Sequence, residues 1–249
     1  VNFIKITNNI KKRKTMNKLR NMLVAVIAIT FLSTSAFAGS MSLGLVGSNL
    51  TAKATGTETD RLTAAGANVT DASTRTLSKN VDATVGTIYV EYTTDFRVPF
   101  SIGAEYTPGE TTIASGTRTD SELSTTGNET TSAVRSVRAA SAEMTNFATA
   151  YIEVPLYKGL YVRGGMSNIT INHGNDSGLG GVSHLQGTNT GIGYKMTTAG
   201  GYILKASYEE TDYDSISLRS TNNNVAANST GVTANVDTEA YRLSIGKNF

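Results

Sequence analysis

The sequence contains no cysteine and no tryptophan, and only three prolines, Pro99, Pro108 and Pro155. Without cysteine there is no disulfide framework and no cysteine-based metal or redox site. Histidine occurs twice, at His173 and His184, which leaves little material for imidazole chemistry. Helical periodicity is also missing. After Gly39 no useful length of chain repeats apolar residues at helical spacing, the segment Ala133 to Met144 excepted. The apparent basicity is local. Residues 1–38 hold seven of the 22 Lys and Arg and none of the 20 Asp and Glu. The remainder carries fifteen bases against 20 acids, a net charge of −5, so basicity gives no ground for a nucleic-acid partner.

What is present begins with an export signal. Met16-Asn17-Lys18-Leu19-Arg20 is a short basic stretch, and Met22 to Leu32 is a nearly unbroken apolar run. Ala36-Phe37-Ala38 then places small residues where a signal peptidase reads them. This layout predicts a leader over 1–38, cleaved after Ala38, with Met16 as the true start. The apolar run is too short to remain as a membrane-spanning helix. Residues 39–249 are the expected working domain.

That domain alternates between two textures. Short runs rich in Val, Ile, Tyr, Leu, Thr and Gly show period-two alternation, which means strands. Long runs of Thr, Ser, Asn, Asp and Gly separate some of them. Eight strands are expected, at about 40–53, 82–96, 99–109, 143–157, 159–173, 187–198, 200–214 and 237–249. Their connections alternate. Those at Asp95–Pro99, Tyr157–Leu160 and Thr197–Gly201 are tight, whereas 54–81, 110–142, 174–186 and 215–236 are long and polar. The predicted fold is therefore all-β: an eight-stranded antiparallel up-and-down transmembrane β-barrel with four long outer loops. Low hydrophobicity makes the first two loops candidates for mobility, with a short helix over Ser132–Met144 in the second.

Each strand presents one apolar face. In the third, Phe100, Ile102, Ala104 and Tyr106 oppose Ser101, Gly103, Glu105 and Thr107. In the last, Tyr241, Leu243, Ile245 and Phe249 oppose Arg242, Ser244 and Asn248. In hydrocarbon a sheet must close on itself to satisfy its backbone, so apolar faces meet lipid and polar faces meet the lumen. Two strands break the pattern. The first mixes Leu43 and Leu45 with Val46 and Leu50 on the other parity, and the fifth switches from Val162, Gly164 and Met166 to Ile169 and Ile171. A bulge, or the end of the membrane zone, would produce such a switch.

The leader ending Ala36-Phe37-Ala38, the eight alternating strands and the terminal Tyr241-x-Leu243-x-Ile245-x-x-x-Phe249 resemble the small outer-membrane barrels of the OmpA-transmembrane-domain, OmpX and opacity-protein type. The resemblance implies a place in the outer membrane of a Gram-negative-type bacterium. It also implies that Tyr241, Leu243, Ile245 and Phe249 form a signal read by the barrel assembly machinery. Lys247 stands at a position that is usually apolar in that signal.

The charges on the polar faces are Glu91, Glu105, Glu153 and Glu209 against Arg163, Lys195, Lys205 and Arg242. Eight strands leave an interior that side chains can fill, and buried charges need partners. A set of four and four predicts a lumen plugged by a salt-bridge network, with a structural or surface-interaction role for the long loops. The alternative is a small porin passing ions or small solutes. Expected partners are outer-membrane lipid and lipopolysaccharide, the assembly machinery, and an extracellular ligand or phage at the loops. Catalysis, cofactors and a resident metal are not expected. His173 and His184 with Asn175, Asp176, Ser177 and Ser183 could be drawn as a triad, but Ser- and Asp-rich loops create such neighbours by chance. The glycine-rich Gly174–Gly181 stretch lacks the Lys-Ser/Thr of a phosphate loop. Glu209, Glu210, Asp212 and Asp214 form an acidic group that a divalent cation could occupy.

Overall fold

The computed structural model describes residues 39–62, 71–126, 129–175, 181–219 and 229–249. The leader, with Met16 and the cleavage position at Ala38, lies outside the described residues, as do Asp176 and Ser177.

The described chain forms strands β1 (Gly39–Leu62), β2 (Asp71–Thr94), β3 (Ser101–Thr126), β4 (Glu129–Tyr157), β5 (Leu160–Asn175), β6 (Gly181–Thr197), β7 (Tyr202–Tyr213), β8 (Ile216–Arg219) and β9 (Ser229–Asn248). All pairings are antiparallel, and β9 returns to β1 in a register running from Ser42↔Asn248 to Arg61↔Ser229. The sheet is a closed ring. β7 and β8 both lie on β9 and are separated only by Asp214 and Ser215. They act as one interrupted stave, so the ring has eight staves. The tight connections fall where the alternation places them, over 95–100, 158–159 and 198–201.

The strands run further than hydrophobicity suggests. β1 and β2 pair from Gly39↔Thr94 out to Leu62↔Asp71, and β3 and β4 reach Thr126↔Glu129. Most of the expected first two loops is thus strand. Residues 132–144 belong to β4 and form no helix. β-Branched Thr favours extended backbone, and the register fixed below lets each added pair extend an existing ladder.

The wall divides part-way up. β2 and β3 pair only from Ile88↔Tyr106 to Thr93↔Ser101. The cause lies in Pro108-Gly109. Proline has no N–H to give the ladder, Gly109 adopts φ +96°, and the β3 register shifts between Thr107 and Glu110. The β6–β7 ladder ends likewise at Gly187↔Tyr213. Beyond these points two sheets, β2-β1-β9-β8 and β3-β4-β5-β6, face each other. Leu50, Met144, Ile169, Ile171, Leu185, Ile216 and Val236 pack between them as one apolar cluster.

This cluster explains the two irregular strands. Along β1, Leu43 and Leu45 point out and Ser42 and Ser48 point in; higher up, Leu50 and Ala52 point in and Asn49 points out. Along β5, Val162 and Met166 point out while Arg163, Ser167, Ile169 and Ile171 point in. The β5–β6 register is unbroken from Leu160↔Tyr194 to His173↔Gly181. No bulge intervenes on β5: the chain keeps its parity and exchanges the polarity of its faces. The lower half is apolar outside and polar inside, as lipid requires. The upper half is apolar inside and polar outside, as water requires.

The lower band has a membrane's dimensions. On β4 the outward run Ala148 to Leu156 is close to the ~9–11 residues a tilted strand needs to cross hydrocarbon. Exposed Tyr106 and Tyr241 stand near its upper edge, and exposed Phe96, Tyr157, Tyr194, Tyr202 and Phe249 near the short-turn end. Aromatic girdles of this kind flank transmembrane barrels at both interfaces.

Candidate functional site in the barrel lumen

Three inward tyrosines each sit two residues before a charge on the same strand face: Tyr89 before Glu91, Tyr151 before Glu153 and Tyr161 before Arg163. A strand repeats its facing every second residue, so each pair enters the lumen together. Glycines make room for the rings. A Cβ on Gly103 would collide with Tyr151, one on Gly193 with Tyr161, and one on Gly44 or Gly246 with Tyr89.

The eight charges converge between these rings. Arg163 makes a two-pronged contact with Glu105, Nη1 to Oε1 and Nη2 to Oε2, each at 2.8 Å. Arg242 adds a bond to Glu105 Oε2 at 2.7 Å and another to Glu209. Arg163 Nη1 also lies 3.2 Å from Glu209 and 3.9 Å from Glu153, and its guanidinium stacks 3.6 Å above the Tyr151 ring. Lys205 binds Glu91 and also Glu153, the latter at 2.6 Å, and Lys195 binds Glu91 at 2.8 Å. Lys195 and Lys205 are direct cross-strand neighbours. Like charges so placed repel, and Glu91 between them offsets that. Tyr151 donates its hydroxyl to Glu91 at 3.1 Å, and Asn189 accepts from Arg163 Nε at 3.2 Å. Charge-assisted, two-pronged pairs are the stronger hydrogen bonds, and this set is buried except for Lys195, whose side chain is 22% exposed toward the short-turn end.

Sequence reasoning named the eight charges but not Tyr89, Tyr161 or Asn189. The tyrosines carried a usable signal, because each shares parity with a named charge. Asn189 shares the parity of Lys195 on β6 and lacks only the charge that drew attention.

Little space remains. The cavities among these side chains are about 10 Å³ beside Tyr89, Tyr151 and Tyr161, and about 20 Å³ between the charged layer and the apolar one. Each has room for about one water.

Other candidate residues do not converge. Glu209 faces the lumen, whereas Glu210 and Asp212 face outward, so the wall divides the acidic group envisaged for a cation. His173 points inward with Nε2 3.2 Å from Ser183 Oγ. His184 points outward with Nδ1 3.0 Å from Thr170 Oγ1. The two imidazoles lie on opposite faces of the sheet and serve no common site. Tyr241, Leu243 and Ile245 face outward. The backbone N–H of Phe249 donates to Met41 O at 2.8 Å, placing the last residue in the closing seam. Lys247 donates to Gly200 O at 2.6 Å and lies 4.5 Å over the Tyr202 ring, so its ammonium is satisfied at the short-turn edge.

A closed antiparallel ring with an apolar outer band, aromatic girdles and a polar filled interior defines a transmembrane β-barrel of the outer-membrane kind. The sequence matches no protein-family model and no curated protein. Among solved structures the chain is similar to the outer membrane protein OprG from Pseudomonas aeruginosa, at 12% identity over 86% of this chain and 97% of that one, with a TM-score of 0.42. It is similar to the outer membrane protease OmpT from Escherichia coli, at 10% identity over 87% and 100%, with a TM-score of 0.42. It is also similar to Ail, the attachment invasion locus protein of Yersinia pestis, at 13% identity over 82% and 97%, with a TM-score of 0.31.

Proposed function

We propose that this protein is a sealed outer-membrane scaffold that holds a folded head above the membrane for contact with a ligand, a phage or a neighbouring cell. The observation that carries the reading is the stacking of two unlike seals in one lumen. Charges paired across the barrel fill the membrane layer, and the apolar cluster around Leu50, Ile171 and Val236 fills the layer above. An ion leaving its hydration shell meets paired charges first and hydrocarbon next, and each barrier is costly by itself. Rearranging the salt bridges alone leaves the apolar layer shut. The outward wall above the apolar band is polar, carrying Asn49, Asp82, Glu210 and Asp212, and function on barrels tends to reside in what a rigid wall displays.

Conductance of the purified barrel in a planar bilayer tests this. The expected trace is silent or shows rare, brief events. A steady open pore would overturn the sealed reading in favour of a small porin. Shortening the β1–β2 hairpin above Thr55 and Ser78 while keeping the ring should leave folding intact and abolish surface contact, read as cell adhesion or phage adsorption.

A further inference from the structure

Two oxygens in the charged layer of the lumen are left over when its hydrogen bonds are assigned. Tyr89 Oη and Glu153 Oε1 are buried, and neither has a hydrogen-bond partner among the described residues. Leaving a buried polar group unmatched is costly. The two are of opposite kind: a tyrosine hydroxyl has a proton to give, and a carboxylate oxygen accepts.

Their neighbours are already committed. Lys205 binds Glu91 and the other oxygen of Glu153, Oε2. Arg163 turns both Nη atoms to Glu105 and Nε to Asn189. Its Nη1 stays 3.9 Å from Glu153 Oε1, too far for a hydrogen bond. Tyr151 gives its proton to Glu91. The Tyr89 ring rests on Gly44 and Gly246, which are paired across the closing seam, and this seat sets where its hydroxyl lies.

Tyr89 and Glu153 line one cavity of about 10 Å³. A space of that size takes one water and nothing larger. The cavity of about 20 Å³ above it is lined in part by Leu50, Val85 and Phe147, and by neither of these two residues.

We propose that a single buried water occupies the lower cavity, accepting from Tyr89 Oη and donating to Glu153 Oε1. Its second proton has the hydroxyls of Ser207 and Ser244 within the same lining. Three hydrogen bonds are the usual complement of a buried water. The inference rests on the sealed reading of the lumen and sharpens it. The water ties β2 to β4 across the barrel without using another cation. The charged layer then traps one molecule rather than a file of them, and one isolated water gives an ion no hydrated path.

Solid-state NMR of the full barrel in lipid vesicles, with water itself as the probe, tests this. Magnetisation is passed from water protons to carbon at short contact times. Its arrival at Tyr89 Cζ and Glu153 Cδ is compared with that at two sets of methyl groups. Ile171 is as deeply buried and belongs to the apolar layer. Val46 faces inward on β1 and lines neither cavity. The resonances missing from Tyr89→Phe and Glu153→Gln assign the two carbons, and backbone assignment of the unmodified barrel does so where a variant fails to fold. Water signal is expected at both Tyr89 Cζ and Glu153 Cδ and is expected to be lost at Ile171 and Val46. Silence at both carbons, or signal at only one of them, would overturn the bridge and leave the seal standing. Signal at Val46 as well would show a water-filled lumen, and the inference would fall together with the sealed reading.

Discussion

Replacing Glu105 by Gln removes one charge and almost no volume from the centre of the lumen. Glu105 accepts two bonds from Arg163 at 2.8 Å and one from Arg242 at 2.7 Å. Both guanidiniums are nearly inaccessible to water, at 3% and 7% side-chain exposure. Three charge-assisted bonds at ~1.5–3 kcal/mol each set an upper limit of about 9 kcal/mol. The real loss is smaller, because Glu209 also serves both arginines and the Gln oxygen still accepts. Breaking one side of a buried pair costs about 3–5 kcal/mol, and that is the expected loss for Glu105→Gln. Urea unfolding of the barrel in lipid vesicles measures it. Glu110→Gln, on the exposed part of β3, is the control and should shift stability by no more than ~0.5 kcal/mol. A loss below about 1 kcal/mol for Glu105→Gln would mean that water solvates the arginines. The network would then be a wet lining, and the reasoning from sealed charges would fail.

Two further outcomes follow from the same geometry. Lys205→Met leaves Glu153, 4% exposed, with only the distant Arg163 at 3.9 Å and takes one of two lysines from Glu91, whereas Lys195 is 22% exposed and shares Glu91 with Lys205. Lys205→Met should therefore cost ~3–5 kcal/mol and Lys195→Met roughly 1–2 kcal/mol in the same urea assay; equal losses would contradict the depth ordering. Phe249→Ala, at an outward residue 77% exposed, should leave the refolded barrel's stability nearly unchanged but reduce the heat-modifiable, folded fraction in cells. Full assembly in cells would remove Phe249 from the proposed assembly signal.

The barrel was legible in the sequence because a strand's period of two is robust. Tyr241, Leu243 and Ile245 against Arg242 and Ser244 already separate lipid from lumen, and the tight turns fix the short-turn end. Less legible was which face of a strand is the inside. Ile169 and Ile171 keep the parity of Arg163, yet an apolar pair there reads naturally as a slip of register, since one rule of polarity is assumed for the whole strand. The chain applies two rules, one for each solvent. The length of β1 to β4 was hidden for a related reason. Thr-rich runs bury little, so their hydrophobicity resembles that of loops even where the ladder continues. Within the site, the charges were readable one by one, but their pairing was not: Arg163 and Glu105 come from non-adjacent strands and meet only once the ring has closed.

The short β2–β3 ladder bears on how this wall responds to load. The closing seam between the first and last staves holds twenty residue pairs, and the β2–β3 seam holds six. Above those six, the Thr87–Thr107 hydroxyl contact at 2.6 Å and the Lys79 bond to Ser115 O at 3.1 Å span the gap. Under sideways tension from the bilayer, a ring opens along its least-stitched line. Here that line lies beside Pro108-Gly109, away from the chain ends, so a rupture would leave the terminal strand still fastened to the first.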